Sequence, residues 1–154
     1  NLDIPVRGPL WARGLEFNHG TGHGVGYLLN VHEGPQNINW KIRVNGGRRG
    51  NATPLEEGML TSDEPGLYLE GKYGIRTENL LLCKKAERNE YGQFMEFETV
   101  TLVPYEREAV LPEMLTREEL EWLNRYHKKV YEIIGPMRTE EERRWLKEAT
   151  AEIG

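Results

Sequence analysis

Asn18-His19-Gly20-Thr21-Gly22-His23-Gly24-Val25-Gly26 is the stretch on which the reading of this chain turns. Its two histidines stand four apart, the spacing that puts both on one face of a helix in H-E-x-x-H metal sites. Helix is disfavoured here. Gly20, Gly22, Gly24 and Gly26 would each cost about 1 kcal/mol relative to Ala in a helix interior, about 4 kcal/mol together if the terms add. Extended or looped backbone is therefore expected; in an extended segment His19, Thr21 and His23 share one face and the glycines leave the other open to close approach. Residues 25–31 read as a buried strand that continues this segment, and Glu33-Gly34-Pro35 as the turn that ends it.

Working outward, 154 residues are about one domain, enough to bury roughly two thirds of the unfolded surface. No apolar run approaches the roughly 18 residues needed to cross a bilayer, so no membrane association is expected. A net charge of -5 disfavours attraction to polyanions, so no nucleic-acid partner is expected. The single Cys83 cannot form an internal disulfide, which points to a reducing, cytoplasmic setting. The chain opens at Asn1 with neither an initiator Met nor the pattern of a signal peptide, and its start reads as a cut.

Residues 1–16 read as a turn at Gly8-Pro9 followed by a short amphipathic stretch, Leu10, Trp11 and Leu15, ending near Gly14. Residues 36–56 are polar and glycine-rich around Asn45-Gly46-Gly47, the mark of a hairpin tip or loop. Three strand-like runs follow, at 58–69, 73–84 and 93–103, and their short connections favour an antiparallel sheet. The periodicity then changes from 2 to 3.6. Thr116 with Glu119, and Thr139 with Glu142, form capping boxes that open two helices. The first carries an apolar stripe of Leu120, Leu123, His127, Val130 and Ile134 and ends at Gly135-Pro136; the second carries Trp145, Leu146, Ala149 and Ile153. The expected fold class is α+β, a mainly antiparallel sheet over residues 1–104 followed by a helical extension over 105–154.

Glu64 precedes Pro65, which pushes its backbone into the extended region and interrupts the sheet, a device that often re-aims side chains beside active sites. Asp63 should face the other way. Taken alone, D-E-P-G is more often a turn than a ligand. On a strand from Tyr73, period two puts Arg76, Glu78, Leu80 and Leu82 on one face. A structural ion pair is the bland reading of Arg76 and Glu78. Against it stands Leu80-Leu81-Leu82: a strand apolar on both faces is buried, and a buried carboxylate must be paired or hold a metal. Cys83 reads as a small core residue and His127 as a satisfied structural histidine. Trp11, Trp40, Trp122 and Trp145 read as packing or interface residues.

Taken together, G-T-G-H-G-V-G-Y-L-L-N-V-H-E-G-P, G-M-L-T-S-D-E-P-G-L-Y and G-I-R-T-E-N-L-L-L resemble the C-terminal catalytic half of cytosolic-type aminopeptidase P, the Xaa-Pro aminopeptidases of the pita-bread metallopeptidases. F-E-T-V-T-L-V-P and L-T-R-E-E-L-E-W-L-N-R-Y-H extend the resemblance toward the C-terminus. It implies a partial pita-bread fold with a curved sheet. It implies two divalent ions, manganese with cobalt or zinc as alternatives, held in part by His23, Glu64 and Glu78. Glu78 would bridge the metals. His19 and His32 would lie beside the substrate, His32 stabilising the tetrahedral intermediate or shuttling a proton, Arg76 would orient the carboxylates, and Glu64 would handle the proton. A hydroxide bridging the metals would attack the carbonyl before proline, in peptides with proline second. A homodimer through the C-terminal region belongs to the same implication.

The family also uses two aspartate ligands upstream of the histidine motif. The aspartates present are Asp3, in the terminal stretch, and Asp63, committed to D-E-P-G. The chain therefore reads as part of a longer enzyme, inactive alone. Two other readings stand beside it: a non-catalytic half-domain acting as a protein-interaction module and, within the enzymes, a prolidase-like dipeptidase.

Overall fold

The computed structural model describes residues 2–28, 30–41, the backbone of 44–45 and 48–49, and 53–154. They fall into two units, Asn1–Thr101 and Leu102–Gly154.

The first unit opens with helix α1, Asp3–Trp11. The expected turn at Gly8-Pro9 is thus a correction, because the helix runs through it. Pro5 sits in the first turn, where its missing N–H has no partner to lose, whereas Pro9 removes one interior bond. Tertiary anchoring of Arg7 and Asp3, both buried, offsets that loss. Gly14, at φ +69°, ends the segment.

The glycine-histidine motif is not a helix: residues 18, 19 and 21 bend, and residues 22–24 join a ladder. Strand β1, Gly22–His23, pairs antiparallel with β2, Asn37–Ile38, and Gly24 bridges to Thr61. Gly22 is needed for closeness, since a Cβ there would overlap the Ser62 carbonyl. The expected strand over 25–31 is not formed among its described residues. Gly26 N donates to Asn30 O and Asn30 N to Tyr27 O, which folds the segment into a loop that exposes Tyr27, Leu28 and Val31. Local turn bonds replace a ladder there, and Leu28 adopts φ +49°.

Strands β3, Val44–Asn45, and β4, Arg48–Arg49, pair as the expected hairpin; its tip, residues 46–47, lies outside the described residues. Beyond it, β5, Leu60–Asp63, and β6, Gly66–Leu69, are separated at Glu64-Pro65, where the sheet was expected to break. Strand β6 pairs with β7, Tyr73–Arg76, while β5 pairs with β8, Asn79–Asn89, and β8 with β9, Gly92–Thr99. All these pairings are antiparallel. The run 73–84 is therefore two strands in different sheets, not one. Alternation does not carry from Arg76 across Thr77-Glu78 to Leu80, and Glu78 is exposed. Leu80, Leu81 and Leu82 are half-buried, so the inference of a buried Glu78 from that run is corrected.

The interior of this unit is largely polar. Beside Phe17, Ile38 and Cys83, its buried side chains are Asp3, Arg7, Thr21, Gln36, Thr61, Ser62 and Glu64. Such groups persist in an interior only when hydrogen-bonded, so this part of the fold is specified by polar contacts more than by apolar packing.

In the second unit, α2, Arg117–Ile134, and α3, Glu140–Ala149, begin at Thr116 and Thr139 with both halves of each capping box formed. Leu123, Tyr126, Val130, Leu146 and Ile153 form the core. Ile153 lies beyond α3, and its backbone is read by Asn124, which donates to the Ile153 carbonyl at 3.0 Å and accepts from its amide at 2.9 Å. His127 is buried, as a structural histidine should be, and its Nε2 accepts from the Tyr105 amide at 3.1 Å. Its Nδ1 is buried with no hydrogen-bond partner among the described residues, so the ring is satisfied on one side only. All four tryptophans are exposed; Trp122 stacks on Tyr126 at 5.6 Å. No described helix is long and apolar enough to cross a membrane.

Candidate metal and peptide site

One cleft of ≈ 560 Å³ in the first unit is lined by His19, His23, His32, Glu64 and Arg76, together with Asn37 and Asn39. Five of the six residues singled out in the sequence therefore meet. Glu78 does not line this cleft, and among the described residues no three His, Cys, Asp or Glu side chains form a group able to hold a metal.

At the centre, His23 Nε2 lies 3.0 Å from Glu64 Oε1. His23 Nδ1 lies 2.9 Å from the Gly24 carbonyl, which can only accept, so Nδ1 carries a proton. At this distance Nε2 and the carboxylate oxygen can share a cation, either a proton on Nε2 or a metal ion bound by both. A backbone carbonyl that fixes the outer ring nitrogen is also how metal-bound histidines are oriented.

Glu64 is held from both ends. Its amide donates to the Thr21 carbonyl at 2.7 Å, and Ser62 Oγ donates to Oε1 at 3.0 Å. Ser62 Oγ also accepts from the His23 amide at 3.0 Å, joining the two key residues. On the other oxygen, Arg76 Nη1 lies 3.4 Å from Oε2. Arg76 reaches further through Tyr68: Arg76 Nε donates to Tyr68 Oη at 2.8 Å, and Tyr68 Oη lies 2.8 Å from His19 Nε2. His19 Nδ1 is committed to the Gly20 carbonyl at 2.8 Å, so Nε2 accepts from the phenol. The hydrogen bond to Tyr68, and after it the charges of Tyr68, Glu64 and Glu78, push the Arg76 guanidinium above its ordinary range. His32 stands edge-on to His23, ring centroids 4.3 Å apart.

Asp63 does not line this cleft. Burial, and secondarily the Glu64 charge, raise its pKa, and its Oδ1 is buried with no partner among the described residues. Asp3, read above as part of a terminal stretch, is instead buried and ion-paired to Arg7 at 2.7 Å.

Ser62 and Tyr68 escaped the sequence reading, yet both had a signal. Ser62 lies on β5 two residues before Glu64, close enough for its hydroxyl to reach the carboxylate. Tyr68 sits opposite Gly74 and two from Gly66, and a Cβ at either glycine would meet its ring. Those glycines let the ring lie over the sheet toward Arg76.

His23 and Glu64 thus offer a nitrogen and an oxygen donor suited to a divalent ion. Two donors fit part of such a site and do not complete it.

Comparison with known proteins agrees with this chemistry. Residues 1–85 match metallopeptidase family M24, and residues 93–153 match the C-terminal region of peptidase_M24. Aminopeptidase P1 of Arabidopsis thaliana is 42% identical over 155 residues, covering 99% of this chain and 23% of that protein. Xaa-Pro aminopeptidase 1 of Dictyostelium discoideum is 43% identical over 138 residues, 89% of this chain and 21% of that protein. Among solved structures, the X-prolyl aminopeptidase of Caenorhabditis elegans, described as a cytosolic enzyme with a di-nuclear active site, superposes with a TM-score of 0.82 at 39% identity. It covers 99% of this chain and 24% of its own. The α+β architecture is accordingly that of part of a pita-bread aminopeptidase, and the chain spans about a quarter of the length of these relatives. With residues 1–85 matched and histidine and carboxylate set face to face in its cleft, the chain belongs to metallopeptidase family M24.

Proposed function

We propose that this chain supplies part of the active site of a cytoplasmic Xaa-Pro aminopeptidase, which removes the first residue from peptides with proline second. The observation that carries this reading is the His23–Glu64 pair, two donors set 3.0 Å apart with the outer histidine nitrogen already committed. The similarity to aminopeptidase P enzymes over 99% of the chain supports it.

His23 and Glu64 would hold divalent metal, manganese in our reading, with Glu78 and further ligands completing the set in the full-length protein. When bound, two such ions lower the pKa of a shared water and stabilise developing negative charge on the scissile carbonyl. Glu64, oriented by Ser62 and Arg76, would accept the proton of the attacking water. His32, beside His23, would stabilise the tetrahedral intermediate. His19, its Nε2 bound to Tyr68, lies on the same wall as Arg76 and would face the substrate.

The test is direct. Full-length protein loaded with Mn²⁺ should release the first residue of a peptide beginning Xaa-Pro and leave one with alanine in second place intact. Release from both peptides alike, or from neither under any divalent ion, would sink the proposal.

A further inference from the structure

Arg7 and Asp3, four apart on α1, are both fully buried, yet neither lines the cleft. A buried ion pair repays its desolvation only if the remaining donors and acceptors are satisfied. Four of the five Arg7 N–H donors have partners, one on Asp3 and three on residues 16–19. Its Nε donates to Asp3 Oδ2 at 2.7 Å, Nη1 to Glu16 Oε1 at 2.5 Å and to the Phe17 carbonyl at 2.7 Å, and Nη2 to the His19 carbonyl at 2.6 Å. The guanidinium also stacks 3.9 Å above the Phe17 ring. Asp3 accepts from the Thr21 hydroxyl, and the Thr21 carbonyl accepts from the Glu64 amide at 2.7 Å.

Two lines of contact therefore leave one ion pair. One runs from Arg7 to the backbone of His19, whose ring spans the Gly20 carbonyl and Tyr68. The other runs from Asp3 through Thr21 to the backbone of Glu64. We propose that Arg7, braced by Asp3, is a positioning residue for the cleft: its planar fork fixes residues 16–21 and thereby sets the His19 ring and the Glu64 carboxylate. Lysine keeps the charge but cannot reproduce a fork that meets several acceptors at once. The catalytic consequence rests on the peptidase reading; the geometric content does not.

The imidazole and amide ¹H–¹⁵N spectra of this chain, uniformly ¹⁵N-labelled, at one pH above neutrality test it. In the wild type, His19 should report a single tautomer with the proton on Nδ1. His127, whose Nε2 accepts from the Tyr105 amide, should report the same tautomer and serve as a control from the second unit. Arg7→Lys should move the His19 signal toward the average of two tautomers and leave His127 in place. An unchanged His19 signal, with the β8–β9 amide resonances intact, overturns the proposal. If Arg7→Lys does not fold, Thr21 decides: Thr21→Val should shift the His19 and Glu64 resonances and Thr21→Ser should not, and no shift in either overturns it. In the full-length protein, Arg7→Lys should lower kcat about 100-fold with little change in KM. A wild type without Xaa-Pro activity would sink the peptidase reading while the imidazole result stands.

Discussion

His23 Nε2 and Glu64 Oε1 face each other at 3.0 Å while the other ring nitrogen of His23 is bound to its neighbour's carbonyl. Nε2 and the carboxylate can share a cation, and on the peptidase reading that cation is a metal ion. In the full-length protein, His23→Ala and Glu64→Gln should each lower bound metal. Glu78→Gln should lower metal and activity together. His32→Ala should leave the metal bound and cut kcat about 100-fold, the scale of a group acting in the transition state. Metal analysis beside steady-state kinetics separates the roles, and equal metal loss in His32→Ala would show its assignment to be wrong.

The chain by itself should not cleave an Xaa-Pro peptide at any manganese concentration that leaves it folded. Among the described residues no three candidate ligands form a metal-holding group, and a dinuclear centre needs carboxylates enough to offset two cations. Calorimetric titration with Mn²⁺ should find weak binding of one ion at most. Proline-specific release by rigorously purified chain would contradict this.

Gly22→Ala should disrupt the first unit. The added Cβ would overlap the Ser62 carbonyl, and Ser62 also bonds the His23 amide and Glu64. Amide exchange along β5 and β8 should accelerate, whereas Gly8→Ala, with open space at its Cβ, should leave it unchanged.

His127 links the second unit to pH. Burial, and secondarily the Arg107 charge, hold its pKa below the ordinary 6.5, against an opposing pull from the Ala151 backbone. The unfolded chain therefore takes up the proton first, so the contribution to stability is complete above about pH 6.5 and is lost as pH falls below it. Urea denaturation followed by helical circular dichroism should show stability falling from pH 7 to pH 5. His127→Gln should flatten that slope.

Thr116→Ala should cost the second unit about 1 kcal/mol, and Thr116→Ser much less, because the Thr116 hydroxyl caps the Glu119 amide. A similar loss is expected for Thr139→Ala at α3. Thermal melts of the single variants check both.

Local chemistry made several features legible without a structure. Four glycines forbade a helix around His19 and His23, Pro65 broke the sheet after Glu64, and two threonine-glutamate boxes placed the starts of α2 and α3. Each rests on backbone sterics or on hydrogen bonds between residues at most four apart, which a sequence displays directly. Tertiary structure alone decided what joins distant segments. Alternation placed Arg76 and Glu78 side by side, but β7 and β8 take different partners, so the two part at Thr77-Glu78. The composition of residues 25–31 suggested a strand, and turn bonds closed a loop instead. Asp3 looked peripheral until Arg7 and Thr21, supplied by folding, made its burial tolerable. A charge can enter an interior only when its partners are already in place, and a sequence names those partners without saying that they meet.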